Sequence, residues 1–258
     1  MVIAVFFVAH WFLSLFFQTV FHHRYASHGM FTMSRFWERT FYLLSFVVQG
    51  SSFLNPRAYA IMHRAHHAHS DTELDPHSPH RFPHVFAMMA DTFKTYRRLV
   101  DESLRRDVGP ADTPRWPALD RLADSWFVRI GFMGLYTAFY VAFAPSPWWY
   151  LLLPVHFVMG PVHGAIVNWC GHKYGYVNYR ETNDRSRNTL PIDFLTLGEL
   201  FQNNHHKFPR QPNFARRSFE FDPTWPVLRL MHAVGVLRLR PSAASGPVAA
   251  SQRRSSAV

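Results

Sequence analysis

The chain of 258 residues has only one cysteine, Cys170, so it cannot form an internal disulfide. No segment repeats, which excludes solenoid and propeller architectures. The zinc-protease motif HExxH and the Glu-x-x-His pattern of soluble diiron bundles are both absent. The net charge is +10, but no nucleic-acid-binding motif accompanies it, so we expect no nucleic-acid partner.

Charged residues are missing from long stretches of the chain. Val2–Phe21 and Trp148–Trp169 contain no Lys, Arg, Asp or Glu, and Trp126–Ala144 contains only Arg129. At about 1.5 Å per helical residue, each stretch reaches roughly 30 Å, the thickness of the hydrocarbon core of a bilayer. We therefore predict three spanning helices, at about 2–21, 126–144 and 148–169. A signal peptide is the alternative for the first, but a basic leading region and a small-residue cleavage site are lacking.

A fourth apolar run, 41–54, is too short for a typical span and predicts an in-plane or re-entrant segment. The chain before and after it then lies on one side of the membrane, and a hairpin of the last two spans returns to that side. All Lys and Arg except Arg129 fall there, which the positive-inside rule assigns to the cytoplasm. We expect an integral protein of the bacterial inner membrane whose positive charge faces anionic lipid.

The end of the chain differs in composition from the rest. Residues 241–258 are mainly Ser, Ala, Pro and Arg, with too few apolar side chains to form a core. We predict a single domain over 1–240, followed by a disordered tail over 241–258.

Histidine is the residue type that the chain has in excess. Of its 17 histidines, eight form four clusters at short spacings: His23 and His28; His63, His66 and His67; His172; His205 and His206. In HRAHH, the spacing i, i+3, i+4 places three imidazoles on one face of a helix. Imidazole nitrogen binds iron, zinc or copper, so the pattern predicts a multi-metal site.

Other residues repeat this geometry or depart from it. Asn168 stands four residues before His172, and Gln202 stands three before His205. The spacing of five between His23 and His28 is instead typical of a frayed helix end. Cys170 is interpreted as a buried apolar thiol rather than a ligand. Three histidines, His10, His156 and His163, lie inside predicted spans, where we expect interhelical packing or hydrogen bonds.

The series HRYASH, HRAHHAHSDTELDPHSP, NWCGHKYG and TLGELFQNNHHKFP resembles the membrane fatty acid desaturases, most closely the acyl-CoA Δ9 (stearoyl-CoA) type and its bacterial relatives. The similarity runs from about Phe21 to Pro209. It implies an all-α membrane fold, in which a stem of transmembrane helices carries a cytoplasmic helical cap that holds a histidine-ligated dimetal site. Acyl-CoA members usually have two spanning helices before the first box, and this chain has room for one.

The resemblance also implies a chemistry. Two iron ions, with O₂ as co-substrate, remove two hydrogens from neighbouring methylenes and leave a cis double bond in a fatty acyl substrate. We expect that substrate to be a Δ9-type acyl-CoA or acyl-lipid. Two electrons come from outside, and since no haem or iron–sulfur domain is fused to the chain, we expect a separate ferredoxin-like or cytochrome-like donor.

Individual roles follow from the same resemblance. The eight clustered histidines match metal ligands of the family, and Asn168 matches an asparagine that reaches one metal through water. Gln202 stands where acyl-CoA members have a ninth histidine, so it is either a weak ligand or leaves an open position. Arg81 matches a basic position near the substrate headgroup, whereas Ile61 and Met62 replace the polar or basic residues found there. Acidic residues near the boxes are expected to orient the imidazoles, or else to be surface acids: Asp71, Asp75, Asp184 and Glu199.

Two alternatives remain open. A hydroxylase or other oxygenase of the same histidine-box membrane superfamily would need the same ligands. A non-catalytic membrane metal or haem binder belongs to a different class, but two histidines suffice for haem, and eight in this order are not required.

Overall fold

A computed structural model describes residues 1–106 and 109–240, so the predicted tail lies outside the described residues. Within these ranges the chain is mostly helical. The helices are α1 Val2–Phe17, α2 Arg35–Gln49, α3 Pro56–His69, α4 Val85–Arg105, α5 Pro117–Asp124, α6 Trp126–Phe143, α7 Leu153–Phe157, α8 Met159–Lys173, α9 Gln202–Lys207 and α10 Thr224–Ala233. Two short strands, β1 Phe31–Met33 and β2 Leu237–Leu239, pair antiparallel. The predicted all-α membrane fold class is confirmed.

Two of the helical segments are long and apolar enough to cross a membrane. One is Val2–Ser27, in which α1 continues without interruption into a π-helix, and the other is α6. Many of their apolar side chains are exposed, including Val5, Phe127 and Leu135. This is the pattern of a surface that faces lipid rather than water.

The third predicted span, 148–169, is not one helix. Pro147–Phe157 and Met159–Lys173 meet at an angle of 74°. Pro161 explains the break, because its ring clashes with the carbonyl of Phe157 and it has no N–H to donate. Ser51 Oγ donates to the freed Phe157 carbonyl at 3.0 Å, and the Gly160 N–H donates to Ser52 Oγ at 3.1 Å. A bent pair, whose polar backbone is satisfied by hydroxyls, therefore replaces the predicted straight helix.

The short apolar run of the sequence corresponds to α2 and the 3₁₀ turn Gly50–Ser52 that follows it. The helix begins at Arg35, earlier than the predicted start at residue 41, because the Ser34 side chain caps it by accepting a hydrogen bond from the Trp37 N–H. It buries Phe41, Tyr42 and Phe46 against α1 and its neighbours and is not one of the segments that meet the length and hydropathy of a span.

Helix α3 carries three of the candidate histidines, His63, His66 and His67, and the residues at its N-terminus determine where the helix begins. The Asn55 side chain accepts a hydrogen bond from the Ala58 N–H at 2.9 Å, and Pro56 occupies the first turn, where no N–H is needed. A core of aromatic side chains, including Phe21, Phe53 and Phe201, packs between α1, α2 and α9. This core holds the segments that carry the histidines together, so that the histidines meet.

Candidate metal centre

The first histidine pair lies at the end of a π-helix, Gln18–Ser27: His23 is within it, and His28 is the residue that caps it. Each turn of a π-helix is closed by a bond from residue i to i+5, and the His28 N–H accordingly donates to the His23 carbonyl at 3.2 Å. Residues five apart then share a face, and the two ring centroids are 5.0 Å apart. The pair does lie at a helix end, as predicted, because His28 directly follows the π-helix, but the spacing of five comes from the wider turn and not from fraying.

Five imidazoles form the first cluster. One nitrogen of each lies within 4.8 Å of the others, and the members are His23, His28, His63, His67 and His205. The Nε2 atoms of His28 and His63 are 2.8 Å apart, and those of His67 and His205 are 3.0 Å apart. The ligand pairs on either side of α2 therefore lie on one side of the fold, as the predicted topology requires.

The nitrogen spacing can be compared with that around a metal ion. Metal–imidazole bonds are about 2.0–2.1 Å long, so two of them at a right angle hold their nitrogens about 3.0 Å apart, and at the tetrahedral angle about 3.4 Å. The shortest contacts in the first cluster are 2.8–3.1 Å. Five nitrogens at this spacing fit a five- or six-coordinate ion better than a tetrahedral one.

A second cluster adjoins the first and consists of His66, His172 and His206. The Nε2 atoms of all three are buried and have no hydrogen-bond partner among the described residues. Each unpaired buried nitrogen costs about 1–3 kcal/mol, so three at one point fit a site for a cation. The rings of His67 and His206 lie 4.4 Å apart between centroids, which places the two clusters side by side.

Each of the four predicted acids lies against one of these imidazoles. The distances to Nδ1 are 2.6 Å from Glu199 to His23, 2.9 Å from Asp75 to His66, 2.9 Å from Asp71 to His172, and 2.7 Å from Asp184 to His206. A carboxylate that accepts the Nδ1–H fixes the tautomer and leaves the Nε2 lone pair free. The acids thus orient the rings toward the centre of each cluster.

Burial sets the protonation of the site. Together with repulsion from neighbouring imidazoles, it lowers the pKa of His63, His66, His67 and His205, which keeps these rings neutral at pH 7. Burial alone would raise the pKa of Asp184, but its hydrogen bonds, first the one from His206, overcome this effect and lower the pKa to about 2. The pKa of Asp71 is lowered in the same way by its hydrogen bond with His172. The site therefore combines these four neutral imidazoles with the charged carboxylates of Asp71 and Asp184.

The two amides predicted to act at the metals lie beside the histidines. Asn168 and Gln202 both line a cavity that also includes His23 and His63. The Gln202 amide nitrogen donates to the Glu199 carbonyl at 2.7 Å. Gly171 leaves room for this side chain, since a Cβ there would lie 2.4 Å from Gln202 Cγ.

Two further predicted residues lie outside both clusters. Arg81 is on the loop after α3, where its guanidinium donates to the Asp75 carbonyl at 2.6 Å, and it does not line the cavity. Cys170, on α8, is half-buried and belongs to neither histidine cluster.

Arg24, to which no role was assigned from the sequence, has a completely buried side chain. It forms ion pairs of 2.9 Å with Glu199 and with Asp222, and its guanidinium stacks 3.8 Å from the Phe214 ring centroid. Arg24 therefore holds the carboxylate that contacts His23. Its signal in the sequence is that the first cation of the chain directly follows a candidate ligand.

His77, on the loop between α3 and α4, lies next to the second cluster. It is buried, its ring lies 4.4 Å from that of His66, and neither ring nitrogen has a hydrogen-bond partner in the described chain. With His66 and Asp75 it forms a third group of converging ligand atoms.

An apolar cavity of about 450 Å³ leads away from the first cluster. Its walls come from α1, α3, α4 and α8, through residues such as Leu15, Met62, Phe93 and Gly164, and no Lys or Arg of the described chain lines it. His163 also lines it and packs against Trp11, with both ring nitrogens unpaired among the described residues. The cavity has the volume and the apolar lining to hold a hydrocarbon chain against the histidines.

The histidines inside the predicted spans behave differently from each other. His156 Nδ1 lies 2.6 Å from His10 Nδ1, and its Nε2 lies 2.9 Å from the Tyr140 hydroxyl, so the expected interhelical hydrogen bonds are present there. His163 forms no such hydrogen bond, since neither of its ring nitrogens has a partner among the described residues. His156 lies on α7 and His163 on α8, and the break at Val158, where the two helical segments meet at 74°, separates them.

We expect Asp71→Asn to lower metal affinity or activity by about 10- to 100-fold, because a neutral amide holds the His172 ring less firmly. Metal content and product formation would be measured on the purified protein. Asp101→Asn is the matched control, since that side chain is 50% exposed on α4 and contacts no histidine of the clusters. Equal losses in the two variants would contradict an orienting role for Asp71.

Comparison with known proteins agrees with this geometry. The fatty acid desaturase family matches residues 1–229. The chain is 28% identical to an acyl-CoA 5-desaturase of Anemone leveillei over 227 residues, which are 84% of this chain and 65% of that protein. It is 28% identical to the sn-1 stearoyl-lipid 9-desaturase of Synechocystis over 228 residues, which are 84% and 64% of the two chains. A Delta-9 desaturase-like protein of Arabidopsis thaliana is 29% identical over 229 residues, 83% and 69% of the two chains.

The chain thus spans a little under two thirds of the length of the first two of these relatives. The matched region nevertheless contains all the clustered histidines and the acids that contact them. The family match covers most of the chain, and the chain belongs to the fatty acid desaturase family.

Proposed function

We propose that the protein is a fatty acyl desaturase that uses two iron ions and O₂ to introduce a cis double bond into a long acyl chain. The observation that carries this proposal is that the apolar cavity ends at the first histidine cluster. His23 and His63 belong to both. A methylene pair in the cavity would therefore lie next to the metal centre, which is the placement that the reaction requires.

The residues divide between the two ions. His23, His28, His63, His67 and His205 would hold one iron, and His66, His172 and His206 the other. Asn168 would reach one of them through water, and Gln202 would be a weak ligand or leave a position for water. When bound, the iron pair supplies the oxidising power needed to break an unactivated C–H bond, using O₂ and two electrons from a separate donor protein.

The protein's own groups bind and align the substrate. Each buried methylene contributes about 0.8 kcal/mol, so a long chain binds along the cavity without polar contacts. The cavity lining has no cation, so an anionic headgroup would stay outside it. Both an acyl-CoA and an acyl-lipid of the Δ9 type fit this arrangement, with the centre facing the cytoplasm of a bacterial inner membrane.

The function is tested by expressing the chain in a desaturase-deficient host and analysing its lipids by mass spectrometry. A product lighter than the substrate by two hydrogens supports desaturation. A product heavier by one oxygen atom supports the alternative, a hydroxylase built on the same site. Unchanged lipids, in cells where the protein is made and carries iron, would contradict both.

A haem binder is disfavoured because its two axial ligands lie on opposite sides of the iron, whereas these nitrogens are about 3 Å apart.

We expect Gln202→His to raise iron retention and to change turnover by less than about tenfold, because imidazole is a better iron ligand than a neutral amide. Iron per chain after challenge with a chelator is the measurement. Asn203→His, at the neighbouring buried position whose amide bonds to the Tyr179 carbonyl at 2.8 Å, is the control and should not increase retention. Equal iron loss from Gln202→His and the unmodified protein would show that residue 202 is not at a metal.

A further inference from the structure

A second cavity, here called the basic cleft, lies on the outer side of the second histidine cluster. It has a volume of about 470 Å³ and is lined by the end of α8 and by the segment that leads toward α9. Four of its lining residues are cations: Lys173, Arg180, Arg185 and Arg187. It shares no lining residue with the apolar cavity, so it is not the place where the acyl chain lies.

The positive charge of the basic cleft is not balanced by neighbouring acids. Within the described ranges, none of its four cations lies within ion-pairing distance of a carboxylate: Lys173 stacks on Trp169, and Arg187 donates to the Gly175 carbonyl. Glu181 pairs instead with Lys207, and Asp184, the one acid of the lining, accepts from His206. Uncompensated charge around a concave surface concentrates an electrostatic field that attracts an anionic partner.

The wall of the basic cleft is bonded directly to the second histidine cluster. The Arg185 N–H donates at 2.8 Å to Asp71 Oδ2, the same atom that lies 2.9 Å from His172 Nδ1. The Ser186 N–H donates at 2.9 Å to Asp184, which lies 2.7 Å from His206 Nδ1. A molecule seated in the cleft is thus one carboxylate away from two imidazoles of the candidate metal centre.

We propose that the basic cleft docks the acidic face of a small one-electron carrier protein that reduces the centre. This rests on the proposed function, which requires two electrons from outside the chain. Each docking oxidises one carrier and reduces one iron from the ferric to the ferrous state, so two dockings supply the two electrons. Complexes of this kind bury little surface and depend on charge steering, which the exposed Arg180 and Arg185 provide.

The test uses the full-length protein in nanodiscs of zwitterionic phosphatidylcholine, with an acidic [2Fe–2S] ferredoxin as probe. Its Kd is measured by surface plasmon resonance for the unmodified protein, for Arg180→Glu with Arg185→Glu, and for Arg98→Glu with Arg105→Glu. The last pair is exposed on α4, away from the basic cleft, and changes the net charge equally. A second readout is the rate of iron reduction by ferredoxin and by dithionite.

We expect the cleft variant to raise Kd by about tenfold and to slow reduction by ferredoxin to a similar extent, with dithionite reduction unchanged. The α4 variant should stay within about twofold of the unmodified protein. Equal weakening in both variants, or none in the cleft variant, would overturn the proposal. So would an effect seen only when anionic phosphatidylglycerol is added, because the cations would then bind lipid. Since Kd does not depend on turnover, failure of desaturation in the host is distinguishable from failure of docking.

Discussion

Replacing His67 by alanine is expected to decrease activity by about 100-fold or more and to lower the iron content from two ions toward one per chain. The reason is its central position in the first cluster. His67 Nε2 lies 3.1 Å from His63 Nε2 and 3.0 Å from His205 Nε2. Losing an orienting neighbour of a metal ligand already costs 10- to 100-fold, and losing a ligand itself should cost more. Iron analysis and lipid product formation would be measured together.

The chain offers a close control for this substitution on the same helix. His69 is two residues further along α3, is exposed, and belongs to neither cluster. His69→Ala removes the same side chain from the same helix and should leave iron content and product unchanged. If His67→Ala retained two irons and full activity, the assignment of the first cluster as a metal site would be wrong.

Replacing Gly164 by leucine is expected to block long acyl substrates while the iron site stays intact. Gly164 lines the apolar cavity, and a Cβ added there would meet no atom within 4 Å, so a larger side chain would extend into open space. A leucine displaces about four methylenes of the substrate at about 0.8 kcal/mol each, which corresponds to roughly a hundredfold in affinity. The helix itself should not suffer, since leucine is a better helix former than glycine.

The measurement is product yield against acyl chain length, with iron content determined in parallel. Shorter chains should remain substrates, because they do not reach the added side chain. Gly131→Leu is the control: this glycine is on α6, is exposed, and also has no atom within 4 Å of an added Cβ. Unchanged yields with long chains in Gly164→Leu would exclude this cavity as the acyl site.

Some features of the centre follow from local rules that can be applied to the sequence. In HRAHH, each residue advances the helix by about 100°, so His66 and His67 lie about 60° and 40° to either side of His63. All three side chains leave α3 from one side, as predicted, but His66 and His67 are about 100° apart around the helix axis. His63 and His67 enter the first cluster, whereas His66 enters the second. The pattern predicted the shared side, but not the division between two clusters.

Other expectations failed where distant segments decide the outcome. The apolar run 148–169 satisfies the length of a span, but Pro161 and the hydroxyls of Ser51 and Ser52 make a bent pair more stable than a straight helix. Those hydroxyls are more than a hundred residues away in the chain. The composition and length of the run 148–169 therefore cannot predict the contact with Ser51 and Ser52.

The amino-acid order was enough to predict the helical membrane fold, the eight histidines that converge and the family, because hydrophobic length and histidine spacing act over a few turns of one helix. It did not predict which carboxylate contacts which imidazole, or that Arg24 forms ion pairs with both Glu199 and Asp222. It also did not predict that the apolar cavity and the basic cleft are separate. These depend on side chains that come from segments far apart in the chain, and only the packing of the helices brings such groups within hydrogen-bonding distance.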